Sequence, residues 1–117
     1  MKNFKELRIW RKGMDIAVQS FQLTNKFPST EKFGLVSQIN RSGVSLPANI
    51  AEGSSRNSEK DYARFVEISL GSSYELETHL LIAQRLNFGK EKPIVSLLEE
   101  VTDEQKMLLG FLGKLRR

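Results

Sequence analysis

Residues 35–53 read LVSQINRSGVSLPANIAEG. Within them Val36, Ile39, Gly43, Leu46, Ile50 and Gly53 recur at alternating steps of three and four, the spacing that gathers side chains on one helical face as a heptad-like seam. Two of these positions are glycine, so a neighbouring backbone or a bulky side chain is expected to come close there. Pro47 lies inside the pattern; it removes a backbone donor and should bend the helix near Gly43 and Leu46. The apolar period continues in phase across it, which predicts one proline-kinked helix over about residues 30–54 rather than two. Ser29 is placed to cap that helix, with Glu31 in the first turn at the positive end of the dipole.

Upstream, Leu7, Trp10, Met14, Val18 and Phe21 share one face of a helix predicted over about residues 5–26, and that face is expected to be buried. Phe4 also reads as core. Phe27-Pro28 ends the helix, because the residue before a proline is pushed out of the helical region. Downstream, Gly53-Ser54-Ser55-Arg56-Asn57-Ser58 is the clearest loop signal. Ser58 followed by Asp61 resembles a capping box and opens a third helix, over about 58–87. Tyr62, Phe65, Ser69, Ser72, Leu76 and Ala83 can lie on one of its faces, and Val66, Leu70, Tyr74, Leu81 and Arg85 spread over a second. Gly89 is expected at the position that stops it. Pro93 suits the first turn of a fourth helix, over about 91–116. Its apolar residues are Ile94, Leu97, Leu98, Val101, Leu108, Phe111, Leu112 and Leu115, interrupted by polar Thr102–Lys106. No strand-like alternation or hairpin turn appears. The expectation is an all-α fold: a single domain over 1–117, an up-down-up-down antiparallel four-helix bundle with short connections.

Composition narrows the function. The chain has 117 residues, 39% hydrophobic and 27% charged, enough for one slim core. Cysteine is absent, which excludes disulfides, thiolate metal sites and cysteine nucleophiles. The opening MKNFKELRIWRKGMD has no apolar signal region, and no apolar run approaches the roughly 20 residues that cross a bilayer. A cytoplasmic protein without a membrane partner is expected. The net charge of +4 is uneven: residues 1–58 hold nine Lys/Arg against four acids, a balance of +5, and the remainder nine against ten, a balance of −1. A basic half favours a polyanionic partner, although a modest positive charge also serves solubility alone.

Chemistry is sparse. His79 is the only histidine; with Glu75 it would supply two metal ligands, and two do not make a site. One histidine without an elbow motif gives no Ser-His-acid triad. Gly53-Ser54-Ser55 lacks the spacing of a phosphate loop, and Glu99 and Glu100 read as solvated surface. No cofactor, metal or small-molecule substrate is expected, and the reading is a non-enzymatic binding protein. Lys5, Arg8, Arg11, Lys12 and Arg56 are the candidates for phosphate contact with RNA or DNA. Arg41, Asn49 and Glu52 share one side of the second helix, where Arg41 would reach a carboxylate such as Glu52 or Glu75 in a buried or interfacial network that sets register or partner. Tyr62, Leu70, Tyr74 and Leu81 face more than one way, and one bundle does not cover them all, so self-association is expected.

The stretch from Phe27 to Glu77 reads FPSTEKFGLVSQINRSGVSLPANIAEGSSRNSEKDYARFVEISLGSSYELE. Phe27-Pro28, Glu31, Gly34-Leu35, Gln38-Ile39, Arg41, Ser45, Pro47, Asn49-Ile50-Ala51-Glu52-Gly53 and Gly71-Ser72-Ser73-Tyr74-Glu75-Leu76-Glu77 carry a resemblance to the four-helix bundle proteins encoded by intervening sequences in bacterial 23S rRNA genes. Leu7 and Trp10 match that family's opening pattern, and the last helix is generic. The resemblance implies a four-helix bundle and, as in relatives, a homopentamer with a central opening. It also implies kinship in fold with the accessory variability protein of diversity-generating retroelements, a basic pentamer that binds nucleic acid and a reverse transcriptase. The alternative function is therefore a protein–protein scaffold or accessory subunit whose ring is the working unit.

Overall fold

The face that the first helix turns inward is not the one its Leu7-to-Phe21 stripe predicts. In the computed structural model, which describes residues 3–117 and so leaves Met1 and Lys2 outside the described residues, this helix is α1 (Arg8–Thr24). It buries Ile9, Gly13, Ile16, Ala17, Ser20, Leu23 and Thr24. Leu7 and Trp10 are only partly buried against the core, and Met14, Val18 and Phe21 are 40%, 51% and 49% exposed. The expected buried stripe is thus largely an outer flank. The reason is the neighbour: α2 (Leu35–Ser54) lies so close that a side chain on Gly13 would meet Leu46 Cδ2 at 2.8 Å, and one on Gly43 would meet Ser20 Oγ at 3.0 Å. Small residues have to line that contact, with Ile9, Ile16 and Leu23 filling the space beside it.

The seam of α2 is buried as its spacing predicts, at Ile39, Gly43, Leu46, Ile50 and Gly53, with Val36 partly buried against the core. One helix runs through Pro47, itself buried. Ser69 Oγ donates to the Leu46 carbonyl at 2.7 Å, tying the next helix to the α2 backbone beside the proline. That helix is α3 (Glu59–Arg85), and its predicted inner face is buried throughout: Tyr62, Phe65, Ser69, Ser72, Leu76 and Ala83. The fourth, α4 (Glu91–Leu115), buries Ile94, Leu97, Val101, Leu108 and Leu112. Each helix packs against two others: α1 against α2 and α4, and α3 against α2 and α4. The result is a four-helix bundle 43 Å long and 22 by 20 Å across, about the span of its longest helix. No strand is present among the described residues.

The ends differ from expectation at three points. Phe4–Glu6 forms a separate 3-10 turn, capped by Asn3 Oδ1 accepting from the Lys5 N–H at 3.1 Å, and extended Leu7 separates it from α1. Ser29 does not cap α2. Ser29–Glu31 is a second 3-10 turn led by Pro28, and α2 begins only after Gly34. The tighter i→i+3 bonds, Glu31 N–H to Pro28 O and Lys32 N–H to Ser29 O, take up the groups an earlier helix would use. At the end of α3, Asn87 rather than Gly89 takes the first left-handed position, with φ of 58°. The Phe88 N–H returns to Ala83 O and the Asn87 N–H to Gln84 O, a Schellman closure. Gly89 follows at φ of 69°, under the Phe27 ring, which also meets Phe88 at 5.9 Å. Ser58 caps α3 as expected, accepting from the Asp61 N–H at 3.1 Å.

Glycines with and without neighbours should respond oppositely to alanine. A Cβ on Gly53 would meet Phe65 Cβ at 2.8 Å and the Tyr62 carbonyl at 3.3 Å, and neither can swing away. Gly53→Ala should therefore destabilise the protein by about 1–3 kcal/mol. Gly110, inside α4 with nothing within 4 Å, should gain about 0.5–1 kcal/mol as Gly110→Ala. Urea unfolding of the two variants tests the pair.

Candidate nucleic-acid interface

Four cations converge on the edge between α1 and α4. Arg8, Arg11 and Lys12, within the first five residues of α1, line one open groove with Lys106 of α4; Asp15, Asp103 and Met107 complete it. Four positive groups line it against two negative, and Glu100 pairs with Lys12 Nζ, which leaves a surplus of one. The arrangement follows from helical spacing: Arg8, Lys12 and Asp15 are one turn apart in succession, and Lys106 and Met107 each lie about one turn after Asp103. Arg11 is fixed from its stem, since its Nε donates to the Lys5 carbonyl at 2.9 Å and anchors the N-terminal turn. Among the described residues its remaining guanidinium donors have no partner.

The sequence candidates divide here. Arg8, Arg11 and Lys12 are brought together. Lys5 is exposed in the 3-10 turn near the Phe4 ring, and only its carbonyl joins the group. Arg56 stands apart, in the connector after α2 and beside Leu115. Its Nη2 pairs with Glu52 Oε1 at 3.0 Å, and it lies over the Phe65 ring, 4.6 Å from the centroid, with Arg64 at 4.9 Å. The expected network on α2 is also redistributed. Asn49 Nδ2 donates to Ser45 O at 2.8 Å and Ser45 Oγ at 2.9 Å, and Ser45 Oγ meets Ser72 Oγ at 2.8 Å. Glu52 serves Arg56 instead. Arg41 and Glu75 are exposed and line one groove between α2 and α3, and Arg41 forms no ion pair among the described residues.

Three residues at the α1–α4 edge escape the sequence reading. Glu100 is not free surface: it pairs with Lys12 Nζ. Lys106 joins the groove from within the polar interruption of α4. Glu104, in the same interruption, is fully buried, and among the described residues neither carboxyl oxygen has a hydrogen-bond partner. Its Oε2 lies 3.2 Å from where a Cβ on Gly13 would stand, so the absent side chain of Gly13 leaves it room. A signal for Glu104 was present: Ile94, Leu97, Val101, Glu104 and Leu108 continue one run of steps of three and four, which makes position 104 an inward one. Burial pushes the Glu104 carboxyl up to about 8, and the Lys12 charge works the other way. Two further polar atoms, Tyr62 Oη and His79 Nε2, are buried without partners among the described residues, and burial raises the Tyr62 phenol.

A small all-helical protein with a basic groove along one helix edge is the class that fold and site define. The chain belongs to the 23S rRNA-intervening sequence protein family, whose model matches residues 5–110. It is similar to a protein of unknown function from the S23 ribosomal protein family of Bacteroides thetaiotaomicron VPI-5482, at 26% identity and a TM-score of 0.80. That likeness covers 89% of this chain and 97% of the other. A comparison with curated proteins found no match. Among the described residues, no helix is long and apolar enough to cross a membrane.

Glu104 sets a pH dependence of stability. Its folded value of about 8 stands above the ordinary 4.5, so the folded state holds the proton more tightly than the unfolded chain. Stability is therefore greatest at and below the ordinary carboxylate range and falls as pH rises through the window up to about 8. The loss should be on the order of a few kcal/mol between about pH 5 and about pH 9, and Glu104→Gln should flatten it. Chemical unfolding across that range checks both expectations.

Proposed function

We propose that this protein is a non-enzymatic, oligomeric binding protein that takes RNA or other nucleic acid along the α1–α4 groove. The observation that carries the reading is the convergence of Arg8, Arg11, Lys12 and Lys106 in one groove with a surplus of positive charge. Structured RNA heads the list of polyanions to test, because the family is named for a sequence within 23S rRNA. Phosphate contacts would dominate, so affinity should fall steeply with salt. Arg56 and Lys5 would act as outlying contacts. The reading keeps one domain in the cytoplasm, with no small-molecule substrate. It also keeps the up-down-up-down order. The pairs along α1 and α2 support that order, since Gly13 meets Pro47, Ala17 meets Gly43, and Thr24 bonds Asn40, one number rising as the other falls. A bend of α2 at Pro47 follows from the donor that proline lacks.

A mobility shift with a 23S rRNA fragment at two salt concentrations tests the groove. Arg8→Gln and Lys106→Gln should each weaken binding and lower the salt slope by about 0.7–0.9, the signature of one lost phosphate contact. Absence of a complex even at low salt would defeat the reading.

The outer flank favours the second reading, a scaffold whose homo-oligomeric ring is the working unit. Met14, Val18 and Phe21 stand exposed on α1, and Val44 of α2 is 46% exposed. A contiguous apolar flank of this kind on so small a protein is what a second copy would cover. Light scattering should give an oligomeric mass for the protein, pentameric by family resemblance, and a lower one for Val18→Glu. Arg41→Ala should also lower it if the groove between α2 and α3 joins subunits. A monomeric mass for the unaltered protein ends this reading.

A further inference from the structure

A second cationic cluster lies at the far end of the same helix pair. Lys26 and Lys90 line an open pocket between the end of α1 and the start of α4, and no Asp or Glu lines it with them. Both lysines are exposed, and neither forms an ion pair among the described residues. This pocket and the basic groove are the two ends of one furrow. Arg8, Lys12, Asp15, Gln19, Gln22 and Lys26 succeed one another at steps of three and four, which is one helical face. Lys106, Asp103, Glu100, Ser96, Pro93 and Lys90 do the same on α4, their numbers falling as those of α1 rise. Charge is therefore ordered along the furrow. Arg8, Arg11 and Lys106 stand at one end, followed by Asp15 and Asp103 beside the closed pair of Lys12 with Glu100. Uncharged Gln19, Gln22 and Ser96 come next, and Lys26 with Lys90 ends the furrow.

We propose that the furrow takes double-stranded RNA, held at its two ends, and that Lys26 and Lys90 are the second contact. This rests on the reading of the groove as a nucleic-acid site and specifies the form of the ligand. A single strand laid in the furrow would carry successive phosphates past Asp15 and Asp103, where like charges repel. A double helix is stiff and meets a straight edge only where its sugar–phosphate ridges cross it, with a groove between the crossings. Arg8 and Lys26 stand about 27 Å apart at the helical rise, and their long side chains can reach inward from there. That separation suits two ridges flanking the wide, shallow minor groove of an A-form duplex. The cations then meet phosphates, and Asp15 and Asp103 face the minor groove, whose 2′-hydroxyl groups can donate to them.

The test is fluorescence anisotropy at one fixed ionic strength. The probes are labelled RNA hairpins of about 6 and about 16 base pairs, an unpaired RNA strand as long as the larger hairpin, and a DNA duplex of about 16 base pairs. The long hairpin should bind about tenfold more tightly than the short hairpin or the unpaired strand, because only it reaches both clusters. The double variant Lys26→Gln, Lys90→Gln should lose that advantage while holding the short hairpin as the unaltered protein does. The DNA duplex, without 2′-hydroxyls, should bind more weakly than RNA; equal binding would overturn the choice of RNA. An unpaired strand bound as tightly as the long hairpin overturns the proposal and leaves the groove reading standing. So does a double variant that binds the long hairpin unchanged. If no probe binds even at low salt, the groove reading itself fails and the proposal falls with it.

Discussion

Close approach of α2 to its neighbours governs the molecule. At Gly13 and Gly43 it comes against α1, and at Gly53 against Phe65 and Tyr62 of α3, where a methyl group would stand 2.8, 3.0 and 2.8 Å from the nearest atom. Backbones this near each other gain dispersion contact along their length and leave no room for large side chains between them. The bulky residues are displaced to the sides of each contact, where Ile16, Leu46, Leu76 and Leu108 form the continuous core. Polar groups inside follow the same economy of space: Ser20 Oγ returns to Ile16 O at 2.8 Å, and Ser69 reaches across to Leu46 O.

That constraint also shapes the basic edge. Because α1 must turn Gly13 and Ser20 toward α2, its residues Arg8, Lys12 and Asp15 swing toward α4 and meet Asp103 and Lys106. The same rotation puts Met14, Val18 and Phe21 on the flank beside α2 rather than in the core. One helix therefore presents three surfaces: a narrow inner one of small residues, a charged one and an apolar outer one. The gap over Gly13 is also what admits Glu104, so packing and electrostatics meet at a single backbone position.

Much of the architecture was legible in the sequence where one period had one interpretation. The seam of α2 and the inner face of α3 carry a single register each, and both are buried as read. Ser58 and Pro93 mark helix starts by local chemistry, which needs no tertiary partner. In α1 two registers compete. Leu7, Trp10, Met14, Val18 and Phe21 make one apolar stripe and Ile9, Ile16, Ala17 and Leu23 another, and the second faces inward because it carries the Gly13 and Ser20 that the close approach of α2 requires. Of the basic candidates, Arg8, Arg11 and Lys12 are adjacent in sequence and remain together. Lys106 lies far away along the chain, and nothing local shows that it joins them.

By itself, then, the sequence determined four amphipathic helices, their connections, and a positive half, since period, caps and composition act within a turn or two of the chain. The tertiary structure alone decided which stripe of α1 faces inward, that Lys12 is held by Glu100, and that Glu104 is a buried acid against Gly13. Those outcomes depend on contacts between residues far apart in the chain, such as Gly43 with Ser20 and Lys12 with Glu100, and such contacts are set by how closely whole helices can pack.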